Sequence, residues 1–294
     1  MKIGNTTIQD TFAEAWDLEV VRLVLTAISE DVALGGAHQF VGAAGSSELG
    51  SRINGGIERA AGPQETPDGR PGVYVSLTLP PDRRDDLVQE ISLRLLLATL
   101  IPTCAVFDAM VPVEATKSID LYEPTAERWE GYETTREVGR RTVCVVPTTT
   151  GQFIYEKTIA VSTCGTDGHI VCYASSEASA VLAVKAAKEA IAGVDGVAPM
   201  GYGLEQIFRE RDHIPALRDR IADSKVPHGV TSVLNLLMFG AAPSLMRQAM
   251  KVAIEAAARV PGVQEIGAMN FGGAFGRHQY QLHGLLGATS EDRR

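Results

Sequence analysis

The residues able to do chemistry fall in a few short runs. Asn270-Phe271-Gly272-Gly273 sets two adjacent glycines beside an amide side chain. Such a run lets the backbone approach a ligand closely and presents N–H donors; the same spacing also makes a tight structural turn. Just beyond it stand Arg277, His278 and His283. A guanidinium here can anchor a carboxylate or phosphate, and an imidazole can take or give a proton near neutral pH. The spacing of His278 and His283 sends them to different sides of a strand. Glu130, in a turn after Trp129, is a candidate carboxylate or a solvated loop acid. Asn235 is a single polar residue in the otherwise apolar run Leu234–Ala241. It reads either as a hydrogen-bonded core or edge-strand amide, or as a cleft residue. Gly45-Ser46-Ser47 offers amides and hydroxyls to a phosphate, although no Lys follows and P-loop spacing is absent; a flexible loop is the alternative.

Composition narrows the classes these residues can serve. A chain of 294 residues, 45% hydrophobic and 21% charged, is long enough to bury one large or two ordinary cores. The net charge is −9 with Lys and Arg scattered, and a nucleic-acid surface needs a basic stripe. No apolar run reaches the ~18 residues of a membrane span, and Met1-Lys2-Ile3-Gly4-Asn5 does not open a signal peptide. Cys104, Cys144, Cys164 and Cys172 show no C-x-x-C spacing and lie among apolar neighbours, and the histidines form no H-x-x-x-H pair. Buried thiols, no structural metal and a reducing, cytoplasmic location are the expectation.

The elements that must position the candidates follow from breakers and periodicity. Glu65-Thr66-Pro67-Asp68-Gly69-Arg70-Pro71-Gly72 reads as a rigid double turn leading into a strand over Val73–Leu79. A helix is expected from Thr11, capped by Asp10 or Thr11, then a strand over Val20–Ala27 and a helix over roughly Glu30–Gly42. A further helix is expected over about Asp85–Leu97, and a hairpin over Arg141–Pro147 and Gln152–Thr158. Ala183–Val197 and Ala249–Val263 echo each other as Ala-rich amphipathic helices, each after a strand-like run. Repeated strand–helix–strand units read as split βαβ, ferredoxin-like arrangements. The expected class is α+β in two such lobes, residues 1–145 and 146–294.

Three segments in order, Asp10–Trp16, the double turn at Glu65–Val73, and Met269-Asn270-Phe271-Gly272-Gly273-Ala274-Phe275-Gly276, resemble the formylmethanofuran:tetrahydromethanopterin formyltransferase family. The resemblance runs along nearly the whole chain, poorest around residues 199–225. It implies a two-lobed homo-oligomer, commonly a tetramer. It also implies formyl transfer between a methanofuran-type amine and a tetrahydromethanopterin-type pterin co-substrate, with no tightly bound cofactor. That chemistry is acyl transfer through a tetrahedral intermediate, which needs oxyanion donors, a proton shuttle and exclusion of water.

This chain departs from the family at several polar positions. The family's proton-handling Glu aligns with Asn235, its Lys after the glycine pair with Ala274, and a polar triplet with Leu95-Leu96-Leu97. His283 keeps a family His. The loop Leu204–Asp223 is charged and looks helical. The resemblance therefore admits three readings: a working formyltransferase, a relative with a different acyl, amide or pterin reaction that uses His278, His283 or Glu130, and a non-catalytic subunit or binding protein.

Overall fold

In the computed structural model, which describes residues 1–207 and 209–287, three short strands come first. They are β1 (Lys2–Ile3), β2 (Thr6–Ile8) and β3 (Phe12–Ala15). The apolar run expected as a strand follows as β4 (Asp17–Thr26), then α1 (Glu30–Val41), whose first turn carries Glu30 and Asp31 where the macrodipole favours acids. Next come β5 (Asn54–Ala61), β6 (Gly72–Leu79) and α2 (Arg84–Ala98), the last entered through a 3-10 turn at Pro81–Arg83. Strands β7 (Ala105–Asp108) and β8 (Thr116–Asp120), the short helix α3 (Tyr122–Ala126) and β9 (Thr134–Val138) lead to the expected hairpin. It is β10 (Arg141–Thr148) and β11 (Gly151–Glu156), in register from Val143↔Glu156 to Thr148↔Gly151. The chain closes with β12 (Thr158–Ala174), α4 (Glu177–Ile191), β13 (Val197–Pro199), β14 (Ser232–Gly240), α5 (Pro243–Ala258), β15 (Val263–Gly267), β16 (His278–Gln281) and α6 (Leu282–Gly287). The class is mixed α+β.

The chain divides into a continuous unit, Leu18–Gly165, and a discontinuous one made of Met1–Asp17 and the chain from Thr166 onward. This differs from the boundary expected at 145/146, which would cut through β10 while it pairs with β11. Two pairings explain the actual division. Strand β12 is 17 residues long; its residues 158–162 pair with β8 and its residues 166–174 with β14. At the other end of the chain, β2 runs parallel to β15 and β3 antiparallel to β16, so the first residues belong with the last. The helix expected from Thr11 is therefore strand β3, because non-local pairing overrides the local cap signal.

In the continuous unit, β4 and β6 pair antiparallel from Glu19↔Leu79 to Thr26↔Gly72. Their side chains Val21, Leu23, Leu25, Val75 and Leu77 are buried with Phe40 of α1 and the stripe Leu87, Ile91, Leu95 of α2. The leucine triplet splits as helix geometry requires: Leu95 is core, and Leu97 is 40% exposed. The double turn is locked by charge. Asp68 accepts from Thr26 Oγ1 (2.8 Å) and Arg70 Nε (2.8 Å), while Arg70 Nη1 donates to the Thr103 carbonyl (2.7 Å). Gly69 has φ +70°, as its turn demands. Gly72 is needed for space, since a Cβ would stand 3.0 Å from the Leu25 carbonyl oxygen.

In the discontinuous unit, Ala180, Ala183 and Ala187 of α4 and Ala249, Ala253 and Ala257 of α5 are buried with Ile170 and Cys172 of β12 and Leu234, Leu236 and Met238 of β14. Small side chains on both helices let them pack closely, which accounts for the Ala-rich echo. The segment Leu204–Asp223, expected to be helical, contains only the 3-10 turns Arg211–His213 and Pro215–Arg220 among its described residues. Pro215 holds Ile214 extended (φ −92°, ψ 114°), which ends any helix there. All four cysteines are free, three of them buried. No helix is long and apolar enough to cross a membrane.

Arg70 links Asp68, Thr26 and the Thr103 carbonyl, and Thr103 itself holds φ +65°, a strained value for a β-branched residue. Arg70→Ala is expected to cost about 2 kcal/mol in urea unfolding, the scale of hydrogen bonds to charged groups.

Candidate functional site

The glycine pair does not face solvent with free amides. The Glu14 carboxylate, on β3 and 1% exposed, occupies the loop's backbone. Its Oε2 accepts from the amides of Phe271 (2.7 Å) and Gly273 (3.0 Å), and its Oε1 from those of Phe275 and Gly276 (both 2.6 Å). Gly272 and Gly273, at φ +72° and +75°, curl the chain into this nest. Asn270 completes it: its Nδ2 donates to Thr11 Oγ1 and the Phe12 carbonyl (3.1 Å each), and its Oδ1 accepts from Gly272 N (3.2 Å). These hydrogen bonds make Asn270, Gly272 and Gly273 parts of a tight turn. The inward amides leave the loop's rings outside. Phe271 and Phe275 are 51% and 71% exposed and pack edge to face at 5.7 Å, with Trp16 at 6.3 Å from Phe271.

Asp17, which opens β4, gathers the next candidates. Its Oδ1 lies 2.8 Å from His278 Nε2 and its Oδ2 3.1 Å from Arg277 Nη1. Burial opposes ionisation of Asp17, but the hydrogen bonds and charge of His278 and Arg277 hold its carboxyl below the usual range. His283 is elsewhere. Strand β16 ends at Gln281, so His283 belongs to α6 and does not lie across a strand from His278. Its Nε2 is 2.8 Å from the Ile8 carbonyl and 3.3 Å from the N-terminal amine.

Asn235 is on β14, 5% exposed. Alternation along the strand puts Leu234, Leu236 and Met238 toward α4 and α5, so Asn235 points to the opposite sheet face, beside Val171 of β12. Its Oδ1 is buried without a hydrogen-bond partner. The backbone of Glu205 bridges to it, with Glu205 N–H donating to the Asn235 carbonyl (3.1 Å) and Asn235 N–H to that of Glu205 (2.9 Å). Burial pushes the Glu205 carboxyl up to about 7. On the same face His169 accepts the Met269 N–H at 2.9 Å through Nε2, and burial brings its pKa down to about 4. Tyr173 Oη meets His213 Nδ1 at 2.7 Å.

The remaining candidates lie in the continuous unit. Ser47 N–H donates to Asn54 Oδ1 at 2.5 Å, and the Ser46 carbonyl accepts from Leu49 and Ser51, so Gly45-Ser46-Ser47 is an ordered turn. Glu130 is exposed and left-handed at φ +56°, beside Gly131. Sequence reasoning passed over a polar cavity of about 140 Å³ lined by Arg22, Tyr74, Asp108, Met110 and Arg141 among others. Arg22 is held there by Glu58 (2.8 Å) and by the face of Tyr74 (4.0 Å). Burial raises the Asp108 carboxyl to about 6. Charged residues in largely apolar strands, Arg22 in β4 and Asp108 in β7, were the available signal. Among the described residues, no group of three His, Cys, Asp or Glu is disposed to hold a metal ion.

The Glu14 nest has a measurable pH signature. Burial alone would raise its pKa, but the four amide hydrogen bonds outweigh burial and bring it from 4.5 to about 2. The stabilisation is therefore complete above pH 4.5 and drains away as pH falls from 4.5 toward 2. Glu14→Gln sets an amide NH₂ against two N–H donors. Thermal unfolding should show a lower Tm at neutral pH and a smaller loss of Tm across that acid window than in the unmodified chain.

Residues 1–148 match the family Formylmethanofuran-tetrahydromethanopterin formyltransferase, and residues 209–285 match the proximal lobe of that family. The formyltransferase of this name from Methanothermus fervidus is 33% identical over 97% of this chain and 100% of its own. That from Methanothermobacter thermautotrophicus is 32% identical with the same coverage. The solved formyltransferase of Methanosarcina barkeri superimposes with a TM-score of 0.89 at 31% identity, covering 97% of this chain and 100% of the other. The formyltransferase/hydrolase complex of Methylorubrum extorquens, solved with methylofuran, shares the fold at a TM-score of 0.85 and 24% identity, covering 98% and 99%. With a third of positions identical to a relative matched along its whole length, the chain belongs to the formylmethanofuran:tetrahydromethanopterin formyltransferase family.

Proposed function

We propose that the protein moves a formyl group between a methanofuran-type amine and a tetrahydromethanopterin-type pterin. The observation that carries this reading is 33% identity to a formyltransferase across 97% of the chain. The entering amine attacks the formyl carbon, a tetrahedral intermediate forms, the entering nitrogen loses a proton and the leaving nitrogen gains one. The pterin is a co-substrate, and no tightly bound cofactor is needed. Within this reading Asn235 offers a buried, unpaired amide oxygen toward the reacting groups. Arg277, with its side chain 79% exposed, keeps N–H donors for an anionic substrate group beyond the one given to Asp17. His278, already hydrogen-bonded to Asp17, is an orienting or proton-relaying group. His283, Glu130 and the turn Gly45-Ser46-Ser47 are secondary candidates. Asn270, Gly272 and Gly273 shape the loop that carries the exposed Phe271.

The same reading includes a cytoplasmic homo-oligomer, a tetramer by resemblance, and split βαβ, ferredoxin-like lobes. The successions β12–α4–β14 and β14–α5–β15, with β14 and β15 both paired to β12, support that topology in the discontinuous unit.

One observation favours a second reading. The position where the resemblance sets the family's acid is Asn235, and an amide cannot exchange a proton near neutral pH. A relative with a different acyl, amide or pterin reaction, or a non-catalytic subunit, would tolerate that change. Purified protein mixed with formylmethanofuran and tetrahydromethanopterin separates the cases. Transfer should produce the formylated pterin, and pterin at about a hundred times its Kd should stabilise the fold by about 2.7 kcal/mol. Binding without transfer points to the non-catalytic reading. Neither binding nor transfer sinks the formyltransferase reading.

A further inference from the structure

We propose that Glu205 is the carboxylate that handles the proton in this protein's formyl transfer, placed beside Asn235 by the bridge to β14. The inference rests on the formyl-transfer reading above. The doubly hydrogen-bonded pair Glu205–Asn235 is an antiparallel bridge. In such a pair the Cα atoms are about 5.5 Å apart and both side chains leave the same face of the sheet. That face is the one turned away from α4 and α5, since Asn235 alternates with the core residues Leu234 and Leu236. The chain reaches this position through a turn at Gly201 and Gly203, with φ +58° and +81°, closed by Gly203 N–H donating to the Met200 carbonyl (3.0 Å). A Cβ at Gly203 would come within 2.7 Å of Pro199, so the turn that delivers Glu205 requires glycine.

Two features of the pair lack a structural explanation and have a chemical one. Asn235 Oδ1 is buried and unpaired, a costly state for an acceptor unless a donor is meant to meet it. Glu205 is half-buried, and no hydrogen bond or ion pair reaches its carboxyl among the described contacts. Four other carboxylates of this unit are committed among the described residues. Glu14 takes four amides, Asp17 takes His278 and Arg277, Glu265 takes the Gln9 amide at 2.9 Å, and Asp212 takes Lys225 at 2.9 Å. Glu205, unlike these four, carries no such partner, and its pKa of about 7 populates both forms at neutral pH. As carboxylate it removes the proton from the pterin nitrogen as that nitrogen bonds to the formyl carbon. As carboxylic acid it returns the proton to the methanofuran nitrogen as the old C–N bond breaks. The Asn235 Oδ1 accepts from the protonated Glu205 acid and orients the exchange.

The test is steady-state formyl transfer by the full chain, with pterin binding measured in parallel. Glu205→Gln is expected to lower kcat by about 10²–10⁴-fold, the range for losing a general acid–base, with KM and pterin affinity little changed. Glu205→Asp should retain part of the activity. Glu205→Gln combined with Asn235→Glu should recover activity, because the carboxylate is returned to the same face from the partner strand. A Glu205→Gln protein that folds, binds pterin and turns over within about threefold of the unmodified chain overturns the assignment while leaving formyl transfer intact. An unmodified chain that transfers no formyl group overturns the parent reading and this one together.

Discussion

The grip of one carboxylate on four backbone amides organises the discontinuous unit. Glu14 draws the amides of residues 271–276 onto itself, and the rest of that corner follows from this choice. Strand β3 must lie alongside β16 to bring the carboxylate within reach, so the first residues of the chain become part of the last lobe. Asp17, three residues further, then meets His278 and Arg277. Backbone donors aimed inward leave only one direction for the rings of Phe271 and Phe275, and these form an exposed aromatic rim with Trp16. A single ionised group thus sets strand order, loop shape and surface character together.

The contrast with Glu205 gives the unit its chemical logic. Both are acids near the edge of structure, but their environments push them apart. Saturated hydrogen bonding fixes Glu14 as an anion that never changes state near neutrality, whereas Glu205 is desolvated without compensation and stays near the point of balance. Groups whose surroundings separate their pKa values in this manner divide structural from chemical duty. In the continuous unit the same division recurs, with Arg22 clamped by Glu58 and Ser76 hydrogen-bonded to Glu58 at 2.6 Å, while Asp108 is left raised by burial.

What could be read from the sequence was what depends on neighbours in the chain. Strands β4 and β6, helices α1 and α2 and the β10–β11 hairpin were legible because apolar period and turn residues suffice to define them. The resemblance carried the family through three segments. Strand β3 was misread as a helix because Asp10, Thr11 and Glu14 mimic a capped first turn, and only β16, more than 260 residues away, tells them otherwise. The glycine pair was legible as a run of amide donors, but the group that takes them, Glu14, has no local signature. Glu205 was hidden for a related reason. It lies in a charged stretch that looks helical until Pro215 and the paired glycines before it are given their geometric weight. The division differs from the expected 145/146 boundary because one continuous strand, β12, runs from one unit into the other.

The discontinuity of the fold carries a consequence for how the chain is made. Residues 18–165 are contiguous, and strands β5 to β7 and β9 to β11 pair within that stretch. Residues 1–17 emerge earlier, and the partners of β2, β3 and Glu14 follow more than 250 residues later. Until then β3 lacks its partner strand and Glu14 the amides that hold it. Its charge keeps it hydrated and disfavours premature strand addition by neighbouring nascent chains. Glu14 becomes a structural clasp only once residues 271–276 have been made.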